Sequence, residues 1–94
     1  MKDRGEIIPL LHRLRRPTFF TRDHDFYKYD LCHRRYCLVF LDVAFDEAAE
    51  FIRRFLRHSA FRTQANRMGR VVRVYHTGVS YWQAHSKKAH VLNW

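Results

Sequence analysis

The chain alternates between short apolar runs and stretches dense in charge, and the spacing of the apolar positions predicts its elements. Over residues 3–14, Ile7, Leu10, Leu11 and Leu14 recur at helical spacing. Asp3 stands where a cap would, and Glu6, three positions on, completes a box-like arrangement. Pro9 falls late for a first turn and predicts a kink or a displaced start. The run Arg13, Arg15, Arg16, Pro17 ends the helix, because cations suit a helix C-terminus and proline cannot continue it. Thr18-Phe19-Phe20-Thr21 contains only β-formers and reads as a short buried strand. Residues 26–35 mix aromatics and charge without a period, which predicts loop with a helical turn. Residues 36–43 (YCLVFLDV) are apolar but for Asp42 and predict a strand buried on both faces, as in a parallel sheet covered by helices.

The second half carries the clearest helix, residues 46–58. Ala48, Phe51, Ile52, Phe55 and Leu56 form one stripe, Asp46 is placed to cap it, and Glu50 precedes Arg54 by one turn. Residues 59–69 read as a basic loop with a turn at Gly69. Residues 71–76 and 79–84 predict a hairpin around Thr77-Gly78. Residues 85–94 read as a polar end with a terminal aromatic. The fold class is therefore α/β: one domain over residues 1–94, with a short sheet containing at least two parallel strands, flanking helices and a C-terminal hairpin.

Charge changes this picture. Eighteen Lys+Arg face nine Asp+Glu, a formal net charge of +9, and fourteen of the cations are arginine. Such a field attracts polyanions, and guanidinium forks grip phosphate oxygens as ammonium groups do not. RNA is the expected partner, single strands above all, because Phe26-Tyr27-Lys28-Tyr29 and Arg34-Arg35-Tyr36 set rings beside cations as base stacking requires. The plainer reading of those rings is core packing. No apolar run has bilayer length and no secretory signal is visible, so a cytoplasmic protein with reduced Cys32 and Cys37 is expected. Cys32, His33 and Cys37 with His24 fit only the loosest zinc spacing, and two inert thiols are the simpler reading.

The segment Thr18 to Phe26, TFFTRDHDF, carries the candidate chemistry. A buried strand ends and Asp23 and Asp25 follow at once, while the second strand ends in Asp42. If the two strands are parallel neighbours, the three carboxylates gather at one sheet edge, where open α/β sheets place their functional crevice. Converging carboxylates suit Mg²⁺ or Mn²⁺, which can activate water at a phosphodiester. Aspartates after strands are also common turn formers and caps.

TFFTRDHDF resembles the acidic strand-end segment of the PIN-like ribonucleases, and KDRGEIIPLLHRL is similar to that family's acidic helix. The resemblance is best over residues 3–43. It implies a partial PIN-like fold and a Mg²⁺- or Mn²⁺-dependent ribonuclease of the toxin type, neutralised by an antitoxin-like partner. It makes Asp3, Asp23 and Asp25 the catalytic and metal-holding residues, with Glu6 and Asp42 as weaker ligands. Arg22, Arg34 and Arg35 are the phosphate-binding candidates. The family's opening strand and its first Asp have no counterpart ahead of residue 3, as expected of an N-terminally truncated relative or of a chain read from a misplaced start. The Thr18–Thr21 strand is then expected to expose an edge, to be covered by a homo-oligomer or a complementing protein. The alternative functions are a non-catalytic nucleic-acid-binding module and an interaction subunit.

Overall fold

The computed structural model describes residues 4–84 and 86–94, and the side chains from residue 7 onward. Asp3 lies outside the described residues, and of Glu6 only the backbone is described. The architecture is α/β, as the periodicity predicts. Helix α1 (Arg4–Arg13) leads to strand β1 (Thr18–Thr21). Two 3-10 turns, His24–Phe26 and Tyr29–Leu31, then precede strand β2 (Cys37–Leu41). A third such turn, Phe45–Glu47, opens helix α2 (Ala48–Arg57). A one-turn helix α3 (Gln64–Arg67) precedes strands β3 (Arg70–Tyr75), β4 (Gly78–Gln83) and β5 (Ser86–Asn93).

The five strands form one sheet in chain order, β1-β2-β3-β4-β5. β1, β2 and β3 are parallel, whereas β4 and β5 return antiparallel. All five residues of β2 are buried, which explains its unbroken apolar run. Its odd positions, Cys37, Val39 and Leu41, pack with Val72, Val74, Val79 and Tyr81 against Phe51 and Phe55 of α2 and against Phe61. Leu38 faces the other layer, where Val71, Phe26 and Tyr36 meet Ile7 and Leu11 of α1. The sheet is thus filled between two helical layers by the alternation along its strands. Phe55 and Phe61 are fully buried and stack at 4.7 Å between ring centroids. Truncating either leaves a cavity that costs about 3–5 kcal/mol, a large share of the ~5–15 kcal/mol that holds a small domain together.

Several expectations need correction. Residues 86–93, read as a polar end, form β5. Its outer positions Lys87, Lys88 and Ala89 are exposed, while Leu92 packs on the core and His90 stacks on Tyr81 at 5.1 Å. The basic segment 59–69 contains α3, capped by Thr63, whose Oγ1 accepts from Asn66 N at 3.1 Å. Asp46 does not cap α2. It sits inside the preceding turn, and Glu47 Oε1 reaches back to accept from Ala44 N at 3.1 Å. Pro9 lies within α1. The Glu50–Arg54 pair forms as expected, at 3.2 Å. Gly69 turns the chain into β3 with φ +82°, a conformation that side chains with a Cβ resist. No helix among the described residues is long and apolar enough to cross a membrane.

Candidate functional site

Because β1, β2 and β3 run the same way, the loops that enter them collect at one end of the sheet and those that leave collect at the other. At about 3.3 Å per residue, the strands separate these ends by roughly 13 Å.

The amino end is a bed of arginine. Arg13, Arg15 and Arg16 precede β1, Arg34 and Arg35 precede β2, Arg62 and Arg67 precede β3, and Arg70 opens it. The three loops are tied together. Cys37 N donates to Pro17 O at 3.0 Å, Gly69 N to Tyr36 O at 3.0 Å, and Gln64 Nε2 to Arg16 O at 2.9 Å. Arg16 is held with φ +52°, a left-handed conformation that non-glycine residues adopt at a cost. Arg67 turns inward, donating to Thr18 Oγ1 and Phe61 O at 3.0 Å. Arg70 likewise donates to Ala60 O and lies over the Phe61 and Tyr81 rings.

The other arginines are not consumed in this way. A cleft of about 410 Å³ is lined by His12, Arg13, Leu14, Arg15, Arg16 and Arg35. Among the described residues no carboxylate lies within ion-pair reach of Arg13, Arg15, Arg16, Arg34 or Arg35. A neighbouring hollow of about 360 Å³ is lined by Cys32, His33, Arg34 and Ala84. His12 and His33 meet edge to face at 4.4 Å between the two hollows. His33 Nδ1 accepts from Arg35 N at 3.1 Å, so the neutral ring carries its proton on Nε2. Burial first, and then the charges of His12, Arg35 and Arg34, push the His33 pKa below its ordinary 6.5.

The carboxyl end is acidic and largely self-contained. Asp23 and Asp25 follow β1, Asp42 follows β2, and Asp46 and Glu47 lie in the turn beyond it. Thr21 Oγ1 accepts from Asp23 N at 3.1 Å, and Asp23 Oδ1 accepts from Asp25 N at 3.0 Å, folding the strand end into a capped 3-10 turn. This brings Asp23, His24 and Asp25 together, with one ligand atom from each lying within 4.8 Å of the others. Asp42 does not join them. Its Oδ2 takes the guanidinium of Arg73, one strand over, at 2.6 and 3.0 Å. Glu47 accepts from His76 Nε2 at 3.1 Å, and this bond first, with that from Ala44 N, lowers the Glu47 pKa. Arg22 is also committed locally: its Nε donates to Val43 O at 3.1 Å, and its guanidinium lies 5.9 Å from the centroid of the exposed Phe45 ring.

The residues singled out from sequence therefore fall on opposite ends. Asp23 and Asp25 come together, with His24 as a third donor. Arg34 and Arg35 are the phosphate-binding candidates without a carboxylate partner among the described residues, on the far side from those carboxylates. The sequence pattern passed over His12, Arg13, Arg15 and Arg16, whose arginines read as a helix stop signal. Cys32 and Cys37 are both free, and burial pushes the Cys37 thiol up to about 12, which makes it inert. Comparison with protein-family models, with curated proteins and with solved structures gives no significant match.

Proposed function

We propose that this chain binds single-stranded RNA through the arginine cleft at the amino end of its parallel strands. The observation that carries the reading is the gathering of Arg13, Arg15, Arg16 and Arg35 around one open cleft with no carboxylate to neutralise them among the described residues. Like charges held together raise the energy of the fold, and an anionic ligand relieves them. Phosphate is the matching anion, because a guanidinium donates two parallel hydrogen bonds to its oxygens. Single strands suit a cleft of this size, which the His12 ring lines with the His33 ring packed edge to face against it. The test is fluorescence anisotropy with a short labelled RNA across a salt series. Five phosphate contacts, from these four arginines and Arg34 of the neighbouring hollow, predict a log–log slope of about −3.5. Affinity indifferent to salt, or absent at low salt, refutes the reading.

A second reading, metal-dependent RNA cleavage of the PIN-like type, is favoured by the Asp23–His24–Asp25 group. Two carboxylates suit Mg²⁺ or Mn²⁺, and the imidazole tilts the set toward Mn²⁺. Asp23 and Asp25 would hold the ion, which would supply Lewis-acid stabilisation of a phosphodiester and a more acidic water. Arg34 and Arg35, at the other end, would hold a different phosphate of the same strand. Mn²⁺-dependent broadening of the Asp23, His24 and Asp25 resonances, with cleavage that stops on chelation and in Asp23→Asn, is the expected result. Cleavage surviving both changes eliminates this reading.

A further inference from the structure

The two edges of the sheet are treated differently. β5 is guarded: Lys87 and Lys88 are exposed on it, and its register with β4 shifts between Tyr81 and Gln83. Charged side chains and irregular register are the usual devices that stop an edge from recruiting another strand. β1 has neither. It runs in unbroken register from Thr18↔Cys37 to Thr21↔Phe40, and it contains no charged residue and no proline. Its pairing with β2 begins with Cys37 N donating to Pro17 O, which turns the main chain of Phe19 and Thr21 toward β2 and leaves that of Thr18 and Phe20 pointing outward. Among the described residues no other group bonds to those outward N–H and C=O groups.

The charges flanking β1 define what fits there. The segment entering β1 holds Arg13, Arg15 and Arg16, and the segment leaving it holds Asp23 and Asp25. Parallel addition of another β1 would set arginine beside arginine and aspartate beside aspartate. Antiparallel addition sets each basic segment beside the acidic segment of the other copy. Pairing Thr18 with Phe20 of the second copy uses the outward groups of both chains, puts a twofold axis at Phe19 and brings the segment that holds Arg15 beside the turn of the second copy that holds Asp23. Leu10 and Leu14, 41% and 49% exposed in the segment leading into β1, add apolar surface.

We propose that two copies of this chain pair antiparallel through β1, making a ten-stranded sheet whose arginine bed from one copy flanks the Asp23–Asp25 cluster of the other. The pairing removes the separation of the two ends. Within one chain the arginines and the carboxylates sit across the length of the sheet, whereas in the dimer they form two composite grooves related by the twofold axis. The pairing stands on strand edges and charge alone and holds whether or not the RNA reading does. A four-residue ladder is small beside the roughly 800 Å² per partner of stable complexes, so association is expected in the micromolar range and weaker in high salt.

The test is sedimentation velocity on the protein without RNA, from low to high micromolar concentration, with amide hydrogen exchange at both limits. The expected result is a monomer–dimer transition in which exchange of the Thr18 and Phe20 amides slows as concentration rises. Arg15→Glu and Asp23→Lys should each weaken the dimer by about tenfold or more, and the double variant, which restores opposite charges across the axis, should recover it. A strict monomer whose Thr18 and Phe20 amides exchange equally fast at both concentrations overturns the proposal. So does a dimer that leaves those amides unprotected, since it would use another surface. Loss of RNA binding with the transition intact counts against the RNA reading alone.

Discussion

The two ends of the parallel sheet carry opposite charge and handle it in opposite ways. At the carboxyl end the ionic groups find partners inside the fold: Asp42 with Arg73, Glu47 with His76 and Ala44 N, Asp23 with the amide of Asp25, and Arg22 with Val43 O. At the amino end Arg67 and Arg70 are similarly engaged, but the cleft arginines have no such partner among the described residues. A charge matched within the chain shapes a turn or fixes a register. A cluster of like charges without a counter-charge works against folding and is relieved by an anion from outside. On the function proposed above, the carboxyl end serves architecture and the amino end recognition, with Asp23–His24–Asp25 as the part of the carboxyl end whose ligand atoms converge.

The comparison breaks most visibly if the amino-end charges are removed. Replacing Arg13, Arg15, Arg16 and Arg35 together by alanine should lower RNA affinity by about 100-fold or more at low salt and flatten the salt slope by roughly 3, since each charge-assisted phosphate bond is worth about 1.5–3 kcal/mol. Asp23→Asn with Asp25→Asn should leave the slope unchanged. Equal losses from both sets would erase the distinction between the ends.

Acidity offers a sharper cut. His33 has its pKa lowered by burial and by His12, Arg35 and Arg34. The unfolded chain therefore takes up that proton first, so stability without ligand should fall as pH drops below 6.5 and through the lowered folded value. Bound phosphate reverses the repulsion, so RNA affinity should rise by about tenfold or less over the same window, and His33→Gln should remove the rise. Glu47 at the other end behaves oppositely. Its lowered pKa contributes stability above the usual carboxylate range, which is lost as pH falls through the folded value, and His76→Ala should reduce that contribution to what the Ala44 N bond supplies, without altering RNA binding. Thermal melts across pH separate the two.

The smallest expected effect is at the strand-end turn. Asp23→Ala removes the acceptor for Asp25 N and should cost about 1 kcal/mol in chemical denaturation, with RNA affinity at low salt intact. A cost near zero would mean that the turn does not depend on this cap.

The sequence announced those elements whose burial is patterned. The helical stripe of α2 and the unbroken run of β2 are direct images of one buried face and of two. β5 escaped because Lys87, Lys88 and Ala89 face solvent on an edge, leaving too few apolar positions to betray a strand. α3 is one turn held by the Thr63 cap rather than by an apolar stripe. Asp23 and Asp25 were legible as a pair because they are neighbours in the chain. Asp42 falls at the expected end, but its pairing with Arg73 was not legible, because it is set by the register of β2 against β3, which no local signal encodes. Arg34 and Arg35 stood out through charge. Arg13, Arg15 and Arg16 did not, because a helix end explains the same residues, and only the adjacency of the loops entering β1 and β2 turns them into a cleft.

The measurement that bears most directly on the division between the ends is RNA affinity as a function of salt for three proteins side by side: the wild type, the four-arginine variant and the Asp23→Asn, Asp25→Asn variant. Steep and equal slopes for the first and third, with a shallow slope and weak binding for the second, are predicted. A wild type that binds no RNA at low salt, or a four-arginine variant that binds as the wild type does, contradicts the account.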